Sequence, residues 1–182
     1  MNKLIFLLFL ISNSFCLDII PFESYSKIMP NLSEMKTLKD VNFITIHHSG
    51  IDNETDDILT LQKIEKIHIS GILNNKKIHE KWSTIGYHFL ISSSGKIYEG
   101  RKLLYQGAHV KNNNEKNIGI CFMGNYDVLN LSDKQILSFE NLINFLNKKY
   151  NKKLIIKKHN DFANTNCPGY NIDKFLTFKN NK

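Results

Sequence analysis

Arginine is almost missing from this sequence: Arg101 stands alone against 23 lysines in 182 residues. Recognition of bases and phosphates leans on arginine forks with interleaved aromatics. No nucleic-acid motif is present either, so nucleic acid is excluded as a partner. Cysteine is scarce too, and Cys16, Cys121 and Cys167 are too few for a disulfide scaffold. The apolar run from Leu4 to Ile11 is eight residues long, far short of the ~20 that span a bilayer, so no stable membrane span is expected. Internal repeats and low-complexity blocks are absent beyond a general Asn/Lys/Ile bias.

What is there describes one globular domain. Hydrophobic residues make up 42% and charged residues 23%, the proportions of a chain that folds around a core. A chain of this length buries roughly 70% of its unfolded surface and needs no staples. The formal charge of +7 is unevenly placed. Residues 1–147 carry 15 basic and 15 acidic side chains, whereas residues 148–182 carry nine lysines against Asp161 and Asp173. A basic end points to nucleic acid, an anionic surface or an acidic substrate, and the first of these is already excluded.

Residues 1–16 read as a secretory signal peptide: Lys3, the short apolar run, then Ser14 and Cys16 at a small-residue cleavage site. Export is therefore expected, to the periplasm or the medium. With Cys16 removed, Cys121 and Cys167 remain. They either pair in an oxidising compartment or divide into a core thiol in Ile118–Met123 and a reactive one in the polar loop before Pro168.

Residues 17–40 read as an irregular lead-in, and 41–178 as the functional domain. Strands are expected at Val41–His47, Ile85–Ser92, Lys96–Glu99, Asn117–Met123 and Lys153–Lys158, with Ser94-Gly95 turning a hairpin. Thr55–Ser70 has helical apolar spacing, and Asn74–Lys81 reads as a polar connection. Ser132 and Gln135 form a capping box before a helix whose apolar stripe holds Ile136, Leu137, Leu142, Ile143, Leu146 and Tyr150. A last helix covers Ile172–Phe178. Strands interleaved with helices predict an α/β fold, a central mixed sheet flanked by helices in one domain.

Two histidines and a cysteine stand out by position. His47 ends one strand, His159 follows another directly, and Cys167 comes eight residues later. Ligand sites collect at strand ends in α/β sheets. Two imidazoles and a thiolate suit zinc, and three protein ligands leave a fourth position for water. Spacing alone does not establish a site here, because these residues form no local motif.

Five strings in order resemble the type-2 N-acetylmuramoyl-L-alanine amidases, the group that includes peptidoglycan recognition proteins and amidase-type phage lysozymes. They are Ile44-Thr45-Ile46-His47-His48-Ser49, Trp82 through Gly86-Tyr87-His88 to Ile91, Gly107-Ala108-His109, Asn117-Ile118-Gly119-Ile120, and His159 through Thr165-Asn166-Cys167-Pro168-Gly169. The resemblance implies a mixed sheet, a catalytic zinc, and hydrolysis of the amide between the muramic acid lactyl group and L-alanine. Its zinc ligands fall on His47, His159 and Cys167. Strand alternation agrees that His47 and His48 do not share one metal. Its catalytic tyrosine falls on Tyr87, and Thr165 stands where some members carry lysine. The alternative it leaves open is a module that recognises muropeptides without cutting them.

The remaining candidates line a substrate groove in the resemblance: His48, His109, Trp82 and a histidine upstream of that tryptophan, either His68 or His79. Each has a plainer role available. His48 and Trp82 can serve as packing, His79 as a surface residue, and Arg101 holds either a stem-peptide carboxylate or only solvent. His88 is expected in the core. The expected partner is peptidoglycan or its fragments, the expected cofactor Zn²⁺, and the expected state a monomer.

Overall fold

The computed structural model describes residues 17–54 and 56–180; the signal-peptide reading lies outside them. Six strands form one mixed sheet, in the order β1 (Ile19–Ile20), β6 (Ile97–Glu99), β5 (Phe89–Ile91), β7 (Asn117–Phe122), β2 (Phe43–His48), β8 (Ile155–Lys158). Only β5 and β6 run antiparallel, as the hairpin turned by Ser94-Gly95; all other neighbours are parallel. Three helices accompany the sheet: α1 (Asp57–Ser70), α2 (Asp133–Lys149) and α3 (Tyr170–Asn180). The expected α/β architecture is what the chain adopts.

The two central strands are buried on both faces, as parallel strands covered by helices must be. Every residue of β7 is buried, as are five of the six in β2. Ile44, Ile46, Ile118 and Ile120 meet Phe139, Leu142 and Leu146 of α2 in the main core. Burial of each such side chain contributes about 1.5–3 kcal/mol. On the other side Leu61 and Ile64 of α1 meet Ile85, Leu90 and Cys121 in a second core.

Local chemistry sets the helix ends. The Asp56 side chain accepts from Ile58 N–H at 2.6 Å, and Gly71 closes α1 in the left-handed conformation at φ +69°. The capping box on α2 is present: Gln135 N–H donates to Ser132 Oγ at 3.2 Å, and Ser132 N–H to Gln135 Oε1 at 3.1 Å.

Several expectations change. The lead-in joins the fold: Ile19 pairs with Ile97, and Phe22, Tyr25 and Leu38 are buried. The connection after α1 holds a small hairpin, β3 (Ile72–Leu73) with β4 (Lys76–Lys77). Leu137 is 59% exposed, and Phe139 takes the place expected of it. The strand expected from Ile85 begins only at Phe89. Ahead of it Gly86 N–H donates to a side chain, His68 Nδ1, rather than to a ladder partner. Cys121 and Cys167 are both free thiols. Among the described residues no helix is long and apolar enough to cross a membrane.

Candidate metal centre

Parallel register builds the site. Ile46 pairs with Lys158, so the next residues, His47 near the end of β2 and His159 just past β8, stand at one level on the carboxyl edge of the sheet. Their rings lie 4.6 Å apart, centroid to centroid. Cys167 returns on a loop closed by Asn160 N–H donating to Cys167 C=O at 3.0 Å. Its Sγ stands 3.6 Å from His47 Nδ1. One ligand atom from each of His47, His159 and Cys167 lies within 4.8 Å of the others. In a tetrahedral zinc site, bonds of about 2.0 Å to nitrogen and 2.3 Å to sulfur place N and S about 3.5 Å apart. The His47–Cys167 spacing fits that ion.

The electrostatics fit it as well. Burial lowers His47 well below the ordinary histidine value and lowers His159 too, so both rings are neutral and keep a lone pair for a metal. Burial pushes the Cys167 thiol up to about 12. A thiolate at that position needs a cation beside it.

The other candidates fall into three places. Tyr87 lies against the His/His/Cys group, its ring 5.1 Å from that of His47, with its hydroxyl beside the Cys121 thiol. Burial raises its pKa well above 10, so the phenol stays protonated. Thr165 Oγ1 accepts from Cys167 N–H at 3.2 Å and shapes the ligand loop.

His68, Tyr87 and His79 line a cleft of about 180 Å³ beside the centre, with Ser49, Ile64 and Leu73. His68 Nδ1 accepts from Gly86 N–H at 3.1 Å, and burial holds its pKa down to about 3. Trp82 is partly buried, with its ring 4.8 Å from His68 and stacked on His79 at 3.9 Å. Both upstream histidines therefore meet Trp82. Larger hollows lie between β1 and α2 and along α3, away from every ligand.

The last group is packed. His48 is 9% exposed, and its Nδ1 accepts from Tyr126 N–H at 3.1 Å. His88 sits in the core with both ring nitrogens bonded, to Gly119 N–H and Tyr105 C=O. His109 is 7% exposed and lies behind His47, not on the cleft wall. Arg101 is equally buried, and its Nε and Nη1 donate to the Ile85 and Gln106 carbonyls at 3.2 and 2.8 Å. Nothing in the local sequence signals that clamp, because its two acceptors come from separate loops.

Fold and site together define an α/β domain with a His/His/Cys centre at the carboxyl ends of parallel strands. The chain belongs to the N-acetylmuramoyl-L-alanine amidase family, which its residues 37–170 match. It is 33% identical to peptidoglycan-recognition protein SC2 of Drosophila melanogaster over 137 residues, 72% of this chain and 70% of that one. It is 30% identical to the endolysin of Enterobacteria phage T3 over 112 residues, 58% of this chain and 74% of that one. Among solved structures, bumblebee PGRP-SA superposes with a TM-score of 0.76 at 26% identity, covering 89% of this chain and 95% of that one. N-acetylmuramoyl-L-alanine amidase LysC from Clostridium intestinale superposes at 0.70 with 30% identity, covering 90% and 97%.

Proposed function

We propose that the protein is an exported, monomeric, zinc-dependent N-acetylmuramoyl-L-alanine amidase. It hydrolyses the amide between the muramic acid lactyl group and L-alanine in peptidoglycan. The observation that carries this reading is the complete set of three ligands, His47, His159 and Cys167, drawn together beside an open cleft. The phage endolysin and LysC among the similar proteins support it. Export rests on the signal-peptide reading of residues 1–16.

A zinc ion held by these residues supplies a Lewis acid and an activated water. The chain's own groups do the rest. The protonated Tyr87 hydroxyl donates a hydrogen bond to the carbonyl oxygen as it gains negative charge, a contribution often worth ~3–4 kcal/mol. A phenol held protonated is no general base, so Tyr87 serves as donor. The Thr165 hydroxyl accepts from Cys167 N–H and keeps its own hydrogen to offer the substrate. The leaving L-alanine nitrogen takes its proton from solvent, which reaches the site past partly exposed His159 and Thr165.

The peptidoglycan-recognition relatives favour a second reading, recognition without hydrolysis. Digestion of purified peptidoglycan, with and without a chelator, decides between them. Release of stem peptides with a free L-alanine amino group, lost with chelator and restored by zinc, is the expected result. Intact glycopeptide bound to the protein supports recognition alone, and cleavage within the glycan overturns both.

A further inference from the structure

We propose that His109 is a positioning residue: it sets the tautomer and ring orientation of His47, so that His47 presents Nδ1 to the metal. The inference rests on the zinc site proposed above and on nothing about the substrate.

His109 Nε2 lies 3.3 Å from the Asn117 carbonyl oxygen. A carbonyl only accepts, so Nε2 carries the hydrogen. In a neutral imidazole Nδ1 is then a bare acceptor. That Nδ1 faces His47 Nε2 at 3.0 Å, so the second hydrogen sits on His47 Nε2. The lone pair of His47 is left on Nδ1, the atom 3.6 Å from Cys167 Sγ. The reverse assignment sets two lone pairs against each other or leaves an unshared charge in the interior, and both are costly.

The surroundings hold His109 in this pose. The Asn114 side chain accepts from the backbone N–H groups of His109 and Val110, at 3.0 and 2.9 Å. Gly107 and Gly119 leave room for the ring: a Cβ on either would come within 2.3 or 2.7 Å of His109 Cδ2. Asn117 is fixed in turn, accepting from Thr45 Oγ1 at 2.9 Å and donating to Asn113 C=O at 2.9 Å. His88, with both ring nitrogens already bonded, does not compete. Metal-bound histidines commonly donate their other N–H to an oxygen acceptor; here a second imidazole is placed between ligand and carbonyl.

Two measurements test this, neither of them activity. Nitrogen-15 NMR of the metal-free wild-type protein should show His47 protonated on Nε2, and His109 protonated on Nε2 with Nδ1 bare. A His47 or His109 protonated on Nδ1 overturns the proposal, whatever any variant does. Zinc affinity, by competition with a chromophoric chelator, should fall about 10–100-fold in His109→Phe. It should largely recover in His109→Gln, whose amide both accepts and donates. Thermal unfolding of each metal-free variant checks that it is folded. A folded His109→Phe with wild-type zinc affinity overturns the proposal, and so does an equal loss in folded Phe and Gln variants. Zinc binding by the wild type without peptidoglycan cleavage would overturn the amidase reading alone.

Discussion

His47 stands directly opposite Cys121 across the parallel pair of β2 and β7. The two side chains share one face of the sheet, and Tyr87 meets both, with its ring near His47 and its hydroxyl beside the Cys121 thiol. A buried thiol thus sits beside the phenol, next to His47.

Tyr87→Phe keeps the ring and removes the donor. Turnover of peptidoglycan should fall about 10²–10³-fold, with zinc content unchanged. Stem-peptide release and elemental analysis on the same preparation check both halves. A variant that cuts at the wild-type rate removes Tyr87 from the reaction.

Acid should destabilise the fold through buried neutral histidines. Burial holds His68 down to about 3 and His88 to about 4, against an ordinary value near ~6.5. Below that value the unfolded chain takes up protons that the folded chain refuses. Stability is therefore intact above pH ~6.5 and falls on acidification, by up to about 1.4 kcal/mol per pH unit for each histidine, until the folded value is reached. Chemical denaturation of the metal-free protein across this range reads the slope free of metal loss. A flat profile between about pH 6.5 and 4.5 contradicts neutral burial.

Arg101 should matter for stability and not for substrate capture. It spans two carbonyls, those of Ile85 and Gln106. The single ammonium of Arg101→Lys does not reproduce that fork. A loss of about 1–3 kcal/mol is expected from the carbonyl left unpaired, with KM for peptidoglycan unchanged. A raised KM at full stability would instead place Arg101 on the substrate.

Two substitutions on α2 separate core from cap. Phe139→Ala empties a fully buried site and should cost about 3–5 kcal/mol. Ser132→Ala removes the cap bond to Gln135 N–H and should cost about 1 kcal/mol. Urea midpoints of the two variants give the ratio, and zinc stoichiometry should hold in the cap variant.

Features in which local pattern and long-range packing agree were legible from the residues alone. The apolar runs of β2 and β7, the Ser94-Gly95 hairpin and the Ser132/Gln135 box each carry their own signal and appear as expected. His47, His159 and Cys167 stood out by their places at or after strands, but only the ordered family strings joined them into one site. The rest arose from contacts between segments distant in the chain. Two hydrogen-bonded pairs in β1 suffice to bring the lead-in onto the sheet, and so short a strand leaves no periodicity to read. Arg101 turned inward because two loop carbonyls converge on it. His109 packs against His47 because Gly107 and Gly119, twelve positions apart, clear the same space. Composition and periodicity report which side chains avoid water; strand register and loop closure decide which of them meet.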